Sequence, residues 1–351
     1  MTRVRSARPA YTFMDLFSGA GGLAEGFRQA GLRSVFAVEA DQSAAASYRA
    51  NFGHGVFDRP IEELDEVPLA ADVVIGGPPC QAFSPLGRMS PADNHGYLSK
   101  LWSKFLDVVA DVKPAAIVVE NVPEFLRSEE YLKFRRRLRV DLKYTCDAGV
   151  LNAADFGVPQ KRRRGFTIGL RRGFPRLPQP TGSRRTVRDA IGDLPLVPTG
   201  ADLHFGRNPT LVSLQRYRAV PEGGNRFDLL RNRPDITPNC WKRKKTGTTD
   251  VFGRLWWDKP ALTIRTEFFK PEKGCYLHPE ADRPITHREA ARLQTFPDDF
   301  VFVGSKTEIA RQIGNAVPCA LARAVAEELL LSLVEAGIRP RSGVRRARRS
   351  A

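Results

Sequence analysis

The chain is short of cysteine, of lysine and of acidic residues, and it lacks any long apolar stretch. Its five cysteines, at 80, 146, 240, 275 and 319, include no CxxC pair, which argues against both a disulfide framework and a zinc knuckle and fits a reducing cytosol. Nowhere do 18 uncharged apolar residues run together, and the basic opening MTRVRSARPA leads into no apolar core, so neither a membrane span nor a secretory leader is expected. Lysine numbers 13 against 42 arginines, and 39 acidic residues face 55 basic ones for a net charge of +16. That imbalance suits a polyanionic partner whose phosphates accept planar, multidentate donors. Nucleic acid is the first expectation, although charge alone is equally compatible with an arginine-rich coding bias. At 351 residues the chain can form one large domain and a smaller one.

Four short apolar runs stand in the first 122 residues: YTFMDLF, SVFAVE, DVVIGG and AAIVVEN. Each is unalternating, the pattern of strands buried on both faces of a parallel sheet. Helix-like stretches separate them, among them LAEGFRQAG ending at Gly31 and KLWSKFLDVVADV ending before Pro114; the alternation predicts a doubly wound α/β domain. From about residue 171 proline, glycine and arginine punctuate the chain, and a loop-rich second domain is expected. Helical character returns at THREAARLQTF and CALARAVAEELLLSLVEAG, before the basic tail IRPRSGVRRARRSA. The expected division is 1–180, a catalytic domain; 181–302, a recognition domain; 303–337, a segment completing the first; and 338–351, a disordered tail.

In such sheets ligands bind beyond the carboxyl ends of the strands. After the first run, SGAGG supplies Gly19, Gly21 and Gly22, whose backbone allows close approach of a ligand to a helix N-terminus. Glu39 ends the next strand, 20 positions beyond Gly19, and can accept from ribose hydroxyls. This pattern points to a nucleoside cofactor and leaves NAD and S-adenosylmethionine unseparated. The third run ends in Pro78, Pro79 and Cys80. Two prolines stiffen the backbone and remove two donors, so they mount the thiol rigidly at the sheet edge, as a nucleophile requires. Glu120, ending the fourth run, can share a proton beside an apolar strand. Cysteine and carboxyl at adjacent strand ends suggest covalent attack on an electron-poor ring.

Six blocks in order, DLFSGAGG (15–22), GGPPCQAFS (76–84), ENV (120–122), QKRRR (160–164), REAARLQTFP (288–297) and QIGNAVP (312–318), resemble the DNA (cytosine-5)-methyltransferase family across nearly the whole chain. The resemblance implies a Rossmann-like domain binding S-adenosylmethionine, with Phe17 near the adenine, Glu39 on the ribose, Asp58 in the adenine-contacting acidic position, Pro79 beside the cofactor and Asn315 with Val317 closing the pocket. It also implies that Cys80 attacks C6 of a flipped-out cytosine while Glu120 serves N3. Arg162 and Arg164 would support these two groups, with Gln160, Gln81 and Ser84 at the DNA. Arg163 departs from the acidic residue many members carry between those arginines.

The polar segment 84–99 is expected to close over the site. Base reading is expected within 181–285, where Arg231, Arg233, Lys242, Arg243, Lys244 and Lys245 are candidate DNA contacts. No metal is expected. The implied substrate is double-stranded DNA, the implied state a cytoplasmic, nucleoid-associated monomer, and a companion restriction endonuclease would be a partner in function without direct contact. RNA cytosine methylation, a catalytically idle DNA-binding scaffold and an NAD oxidoreductase are the alternatives.

Overall fold

Each of the four apolar runs forms a strand, three of them buried almost throughout and the SVFAVE strand half-buried at Ser34 and Phe36. The computed structural model describes residues 10–67, 70–79, 101–243 and 250–341, which form two compact units: 10–151, 163–179 and 321–341, and 152–162 with 180–320.

In the first unit, β1 (Thr12–Leu16), β2 (Arg33–Val38), β3 (Val56–Phe57), β4 (Val73–Gly76), β5 (Ala116–Asn121), β6 (Thr145–Asn152) and β7 (Arg163–Leu170) form one sheet in the order β3-β2-β1-β4-β5-β7-β6. The first five run parallel and β7 joins β5 antiparallel. Strand order reverses between β1 and β4, the topological switch point at which Rossmann-like sheets bind ligands. Helices α1 (Gly22–Gln29), α2 (Gln42–Phe52), α3 (Leu101–Val112) and α4 (Glu129–Arg136) follow β1, β2, β4 and β5. Met14, Val74, Ile117 and Val119 of the sheet pack with Phe105, Leu106 and Val109 of α3 and with Phe134 of α4 in one apolar cluster.

The second unit is short in regular structure, as its punctuation predicts. It holds α5 (Val187–Ile191), α6 (Leu211–Arg218), α7 (Arg226–Asn232), α8 (Asn239–Arg243), α9 (His287–Leu293) and α10 (Lys306–Asn315), with a small parallel pair β8 (Gly253–Arg254) and β9 (Cys275–Leu277). The predicted helix at THREAARLQTF is α9, started by a capping box in which Thr286 and Glu289 satisfy each other's backbone N–H groups.

The unit boundaries differ from the expected ranges. Residues 152–162 and 303–320 pack with the second unit, because Gln160, Arg162 and the end of α10 are tied to residues 264–294 by buried hydrogen bonds. Helix α11 (Cys319–Glu335) continues from there into the first unit. Residues 342–351, most of the expected tail, lie outside the described residues. Among the described residues no helix is long and apolar enough to cross a membrane.

Candidate functional site

The turn after β1 is built around Phe17, a non-glycine residue at φ 58°, in the sparsely populated left-handed region. Ser18 N–H then reaches the Val38 carbonyl at 3.1 Å, and Gly19 N–H donates to Glu39 Oε2 at 2.7 Å. The second carboxylate oxygen of Glu39 accepts from Asp41 N–H at 2.8 Å, while Asp41 itself caps α2. Glu39 is thus fixed at the end of β2, and each of its oxygens keeps a further acceptor position. Burial pushes its pKa up, the bonds from Asp41 and Gly19 oppose that, and the net direction is upward. Gly21, at φ 102°, could carry no side chain here: a Cβ would lie 2.6 Å from the Phe52 ring. Gly22 opens α1.

Asp15, inside β1, was absent from the expected site. It is 1% exposed, and neither carboxyl oxygen has a hydrogen-bond partner among the described residues. Burial, reinforced by the charge of Glu39, raises its pKa well above the ordinary carboxyl value. Asp58 follows β3 and pairs with Arg49 at 3.0 Å.

At the end of β5, Glu120 Oε1 lies 3.0 Å from Arg164 Nε, and both side chains are largely buried. The antiparallel register that sets Asn121 opposite Gly165 brings Arg164 alongside. Gly77 lies beside the same carboxylate, its would-be Cβ 3.2 Å from Glu120 Oε2. Buried Asn121 donates to the Pro78 carbonyl at 3.0 Å and accepts from Val122 N–H, a link that ties the Pro-Pro segment to the strand carrying Glu120. Pro79 is half-buried. Cys80, Gln81, Ser84 and the segment 84–99 lie outside the described residues. Among the other cysteines, burial pushes the Cys275 thiol up to about 12 and Cys319 is buried, both environments that suppress the reactive thiolate.

The remaining expected residues belong to the second unit. Gln160, expected at the DNA, is fully buried: its Nε2 donates to Leu293 O at 3.2 Å and Gln294 Oε1 at 2.9 Å, and its Oε1 accepts from Ile264 N–H. Arg162 is likewise buried and donates to the carbonyls of Ile264 and Gly314, each at 2.8 Å. Gln294 completes the knot by donating to Ile313 O at 2.7 Å. Gly314 sits so close to the 265–266 backbone that a Cβ would lie 2.4 Å from Thr266 N. Thus QKRRR, REAARLQTFP and QIGNAVP meet in one buried polar cluster. Asn315 is exposed and Val317 buried, both in this unit.

Of the candidate DNA contacts, Arg231 pairs with Asp228 and Arg233 with Asp235. Lys242 and Arg243 are exposed on α8, and Lys244 and Lys245 lie outside the described residues. Among the described residues no cluster of histidine, cysteine and carboxylates could hold a metal ion.

The family model for the C-5 cytosine-specific DNA methylase matches residues 11–331. The chain is 36% identical to type II methyltransferase M1.HphI of Haemophilus parahaemolyticus over 91% of its own length and 86% of that protein's. It is also 36% identical to type II methyltransferase M.NgoFVII of Neisseria gonorrhoeae, over 87% and 82%. Among solved structures, a prophage-encoded E. coli protein described as a DNA modification methyltransferase superposes with a TM-score of 0.69 at 25% identity, over 93% of this chain and all of that one. An Entamoeba histolytica methyltransferase shares the fold alone, with a TM-score of 0.66 at 16% identity over 93% and 99% of the two chains. With a family match from β1 into α11 and a Rossmann-like sheet that carries ENV and QKRRR side chains into contact, the chain belongs to the C-5 cytosine-specific DNA methylases and is a DNA (cytosine-5)-methyltransferase.

Proposed function

We propose that the protein uses S-adenosylmethionine to methylate C5 of a cytosine within a specific double-stranded DNA sequence, through covalent attack by Cys80 on C6 of an extruded base. The observation that carries this reading is the Glu120–Arg164 pair at the end of β5, tied through Asn121 to the Pro78 carbonyl two residues before Cys80.

The residues present fit the cofactor. Glu39 is fixed by two backbone donors with acceptor positions to spare for ribose hydroxyls, and the Phe17 turn and Gly19 lie at the same strand ends. When bound, S-adenosylmethionine supplies an activated methyl group. Asp58, Pro79, Asn315 and Val317 are assigned to its binding by the family pattern.

The chemistry then falls to the protein. C5 of cytosine is a poor nucleophile while the ring is aromatic. The Cys80 thiolate forms an S–C6 bond as N3 takes a proton from Glu120, which leaves an enamine with electron density at C5. After C5 is methylated, its proton is lost to a base, the S–C6 electrons return to sulfur as the C5=C6 bond re-forms, and the N3 proton goes back to Glu120. Arg164 holds Glu120 in place and balances its charge in the intervals when it is ionised. The base reaches Cys80 only by leaving the duplex, at a cost of about a few kcal/mol. The relatives' type II names support a role in restriction–modification, with the enzyme acting in the cytoplasm.

Methyl transfer from labelled S-adenosylmethionine to mixed-sequence duplex DNA, read by base-resolution detection of 5-methylcytosine, tests this. Modified cytosines should share one sequence context, and Cys80→Ser should abolish turnover while cofactor binding persists. No product on duplex DNA, with product on a transfer RNA, would replace DNA by RNA as the substrate.

A further inference from the structure

The second unit contains a pocket of about 320 Å³ that the methyl-transfer chemistry does not use, lined in part by Phe205, Arg207, Phe269, His287, Lys306 and Thr307. Two half-buried rings, Phe205 and Phe269, form its apolar surface over the buried His287. Phe205 and His287 have centroids 4.6 Å apart, and Phe269 is stacked on His287 at 6.0 Å and 14°. Fully buried Phe268 backs His287 edge-on at 5.1 Å, so the imidazole cannot swing away. His287 Nε2 donates to the Lys306 carbonyl at 2.8 Å, and burial lowers its pKa to about 4, so at neutral pH it is an uncharged aromatic ring.

The rim is cationic. Lys306 Nζ lies 4.3 Å from the Phe205 centroid, and the exposed Arg207 donates one bond to the Phe269 carbonyl at 3.4 Å. No residue lining the pocket carries a carboxylate. Lys306 and Thr307 also open α10, whose capping box engages the N–H groups of Ser305 and Glu308. The backbone N–H groups of Lys306 and Thr307 therefore have no intrahelical partner and stand at the positive end of the helix.

Aromatic faces beside exposed cations, with no carboxylate in the lining, select a ligand that is planar at one end and anionic at the other. We propose that this pocket binds an unpaired nucleotide, with its base against Phe205 and Phe269, which the buried His287 backs, and its phosphate on Lys306 and Arg207. The source is either a free nucleoside monophosphate or a nucleotide within a single strand. None of the residues lining this pocket is one assigned to the reacting cytosine, and the proposal does not depend on the methyl-transfer mechanism.

The test uses full-length protein bearing Cys80→Ser, so that attachment through that thiol cannot intervene, and a thymidine pentanucleotide with one 5-iodouracil as photo-cross-linking probe. Irradiation followed by peptide mapping should place the cross-link on Phe205 or Phe269. Lys306→Glu, a change at an exposed position, should reduce the yield at those residues at least about fivefold, and Phe205→Ala by a similar factor. Competition by excess thymidine monophosphate would assign the site to free nucleotides; competition only by the unlabelled pentanucleotide would assign it to single strands. Cross-links confined to other segments, or undiminished at these rings in Lys306→Glu protein, would overturn the proposal. Methyl transfer assayed separately on the otherwise wild-type enzyme keeps that failure distinct from a failure of the proposed reaction.

Discussion

Glu120 and Asp15 are both acidic groups withdrawn from water, yet their surroundings give them opposite duties. Glu120 faces Arg164 at 3.0 Å and has a counter-charge whenever it ionises, whereas Asp15 has no hydrogen-bond partner among the described residues. Glu120→Gln keeps the shape and removes the exchangeable proton, so methyl transfer in a single turnover should fall by roughly 10²- to 10⁴-fold with cofactor affinity unchanged. A loss below tenfold would remove Glu120 from proton transfer. For Asp15 the consequence is one of stability. Its folded-state pKa is raised by burial and by Glu39, so above the ordinary carboxyl value of about 3.9 the folded chain keeps a proton that the unfolded chain gives up. Stability from this group is therefore present at low pH and is lost as pH rises toward the folded pKa, by up to ~1.4 kcal/mol per pH unit. Asp15→Asn cannot ionise, so its urea midpoint relative to wild type should improve between pH 5 and pH 7.5; a constant difference would show that Asp15 is ionised in the fold. The strand-end positions of Glu39 and Glu120 were legible in the sequence because each ends an apolar run. Asp15 was not, since an acid inside such a run reads as part of the strand until its isolation is seen.

At the scale of elements, an unalternating apolar run is a strong signal because only a strand covered on both faces tolerates it, and β1, β2, β4 and β5 all carried one. The sequences TCDAGVLN and RRGFTIGL of β6 and β7 mix polar residues and glycine with apolar ones. The place of β7 is set by its pairing with β5, some fifty residues earlier in the chain, which no local pattern records, and β6 lies beside β7 at the sheet edge. The same reason hid the roles of Gln160 and Arg162. Arginine in a basic block reads as a surface residue, yet Arg162 is 1% exposed and joins β-bridge segment 160–162 to residue 264 and to the end of α10. Arg162→Gln cannot span both carbonyls, and each buried acceptor left unpaired costs about 1–3 kcal/mol. Thermal unfolding should show a loss of at least about 2 kcal/mol, with activity lost through the second unit's instability. A variant as stable as wild type would mean that the carbonyls find other donors, and would return Arg162 to a role in chemistry alone.

Over the whole molecule, 55 basic side chains outnumber 39 acidic ones by 16, and some of the basic ones are already paired with internal carboxylates. Arg231 and Arg233 are held by Asp228 and Asp235, so these two arginines must exchange an internal partner for a phosphate before they help bind DNA. Arginines without that cost contribute more per residue. Residues 342–351 contain four arginines and no acidic residue, a local concentration of positive charge in the sequence. Each phosphate neutralised adds about 0.9 to the slope of log affinity against log salt on duplex DNA. Deleting 342–351 should therefore lower that slope by as much as about 3.6 when binding is titrated across 50–200 mM salt, and should weaken affinity most at the low-salt end. Because phosphates carry no sequence, the context of the methylated cytosine should not change. Deletion that altered the methylated context would make the segment a reader of bases, and an unchanged slope would place the neutralising charges in the body of the protein, on exposed groups such as Lys242 and Arg243 of α8.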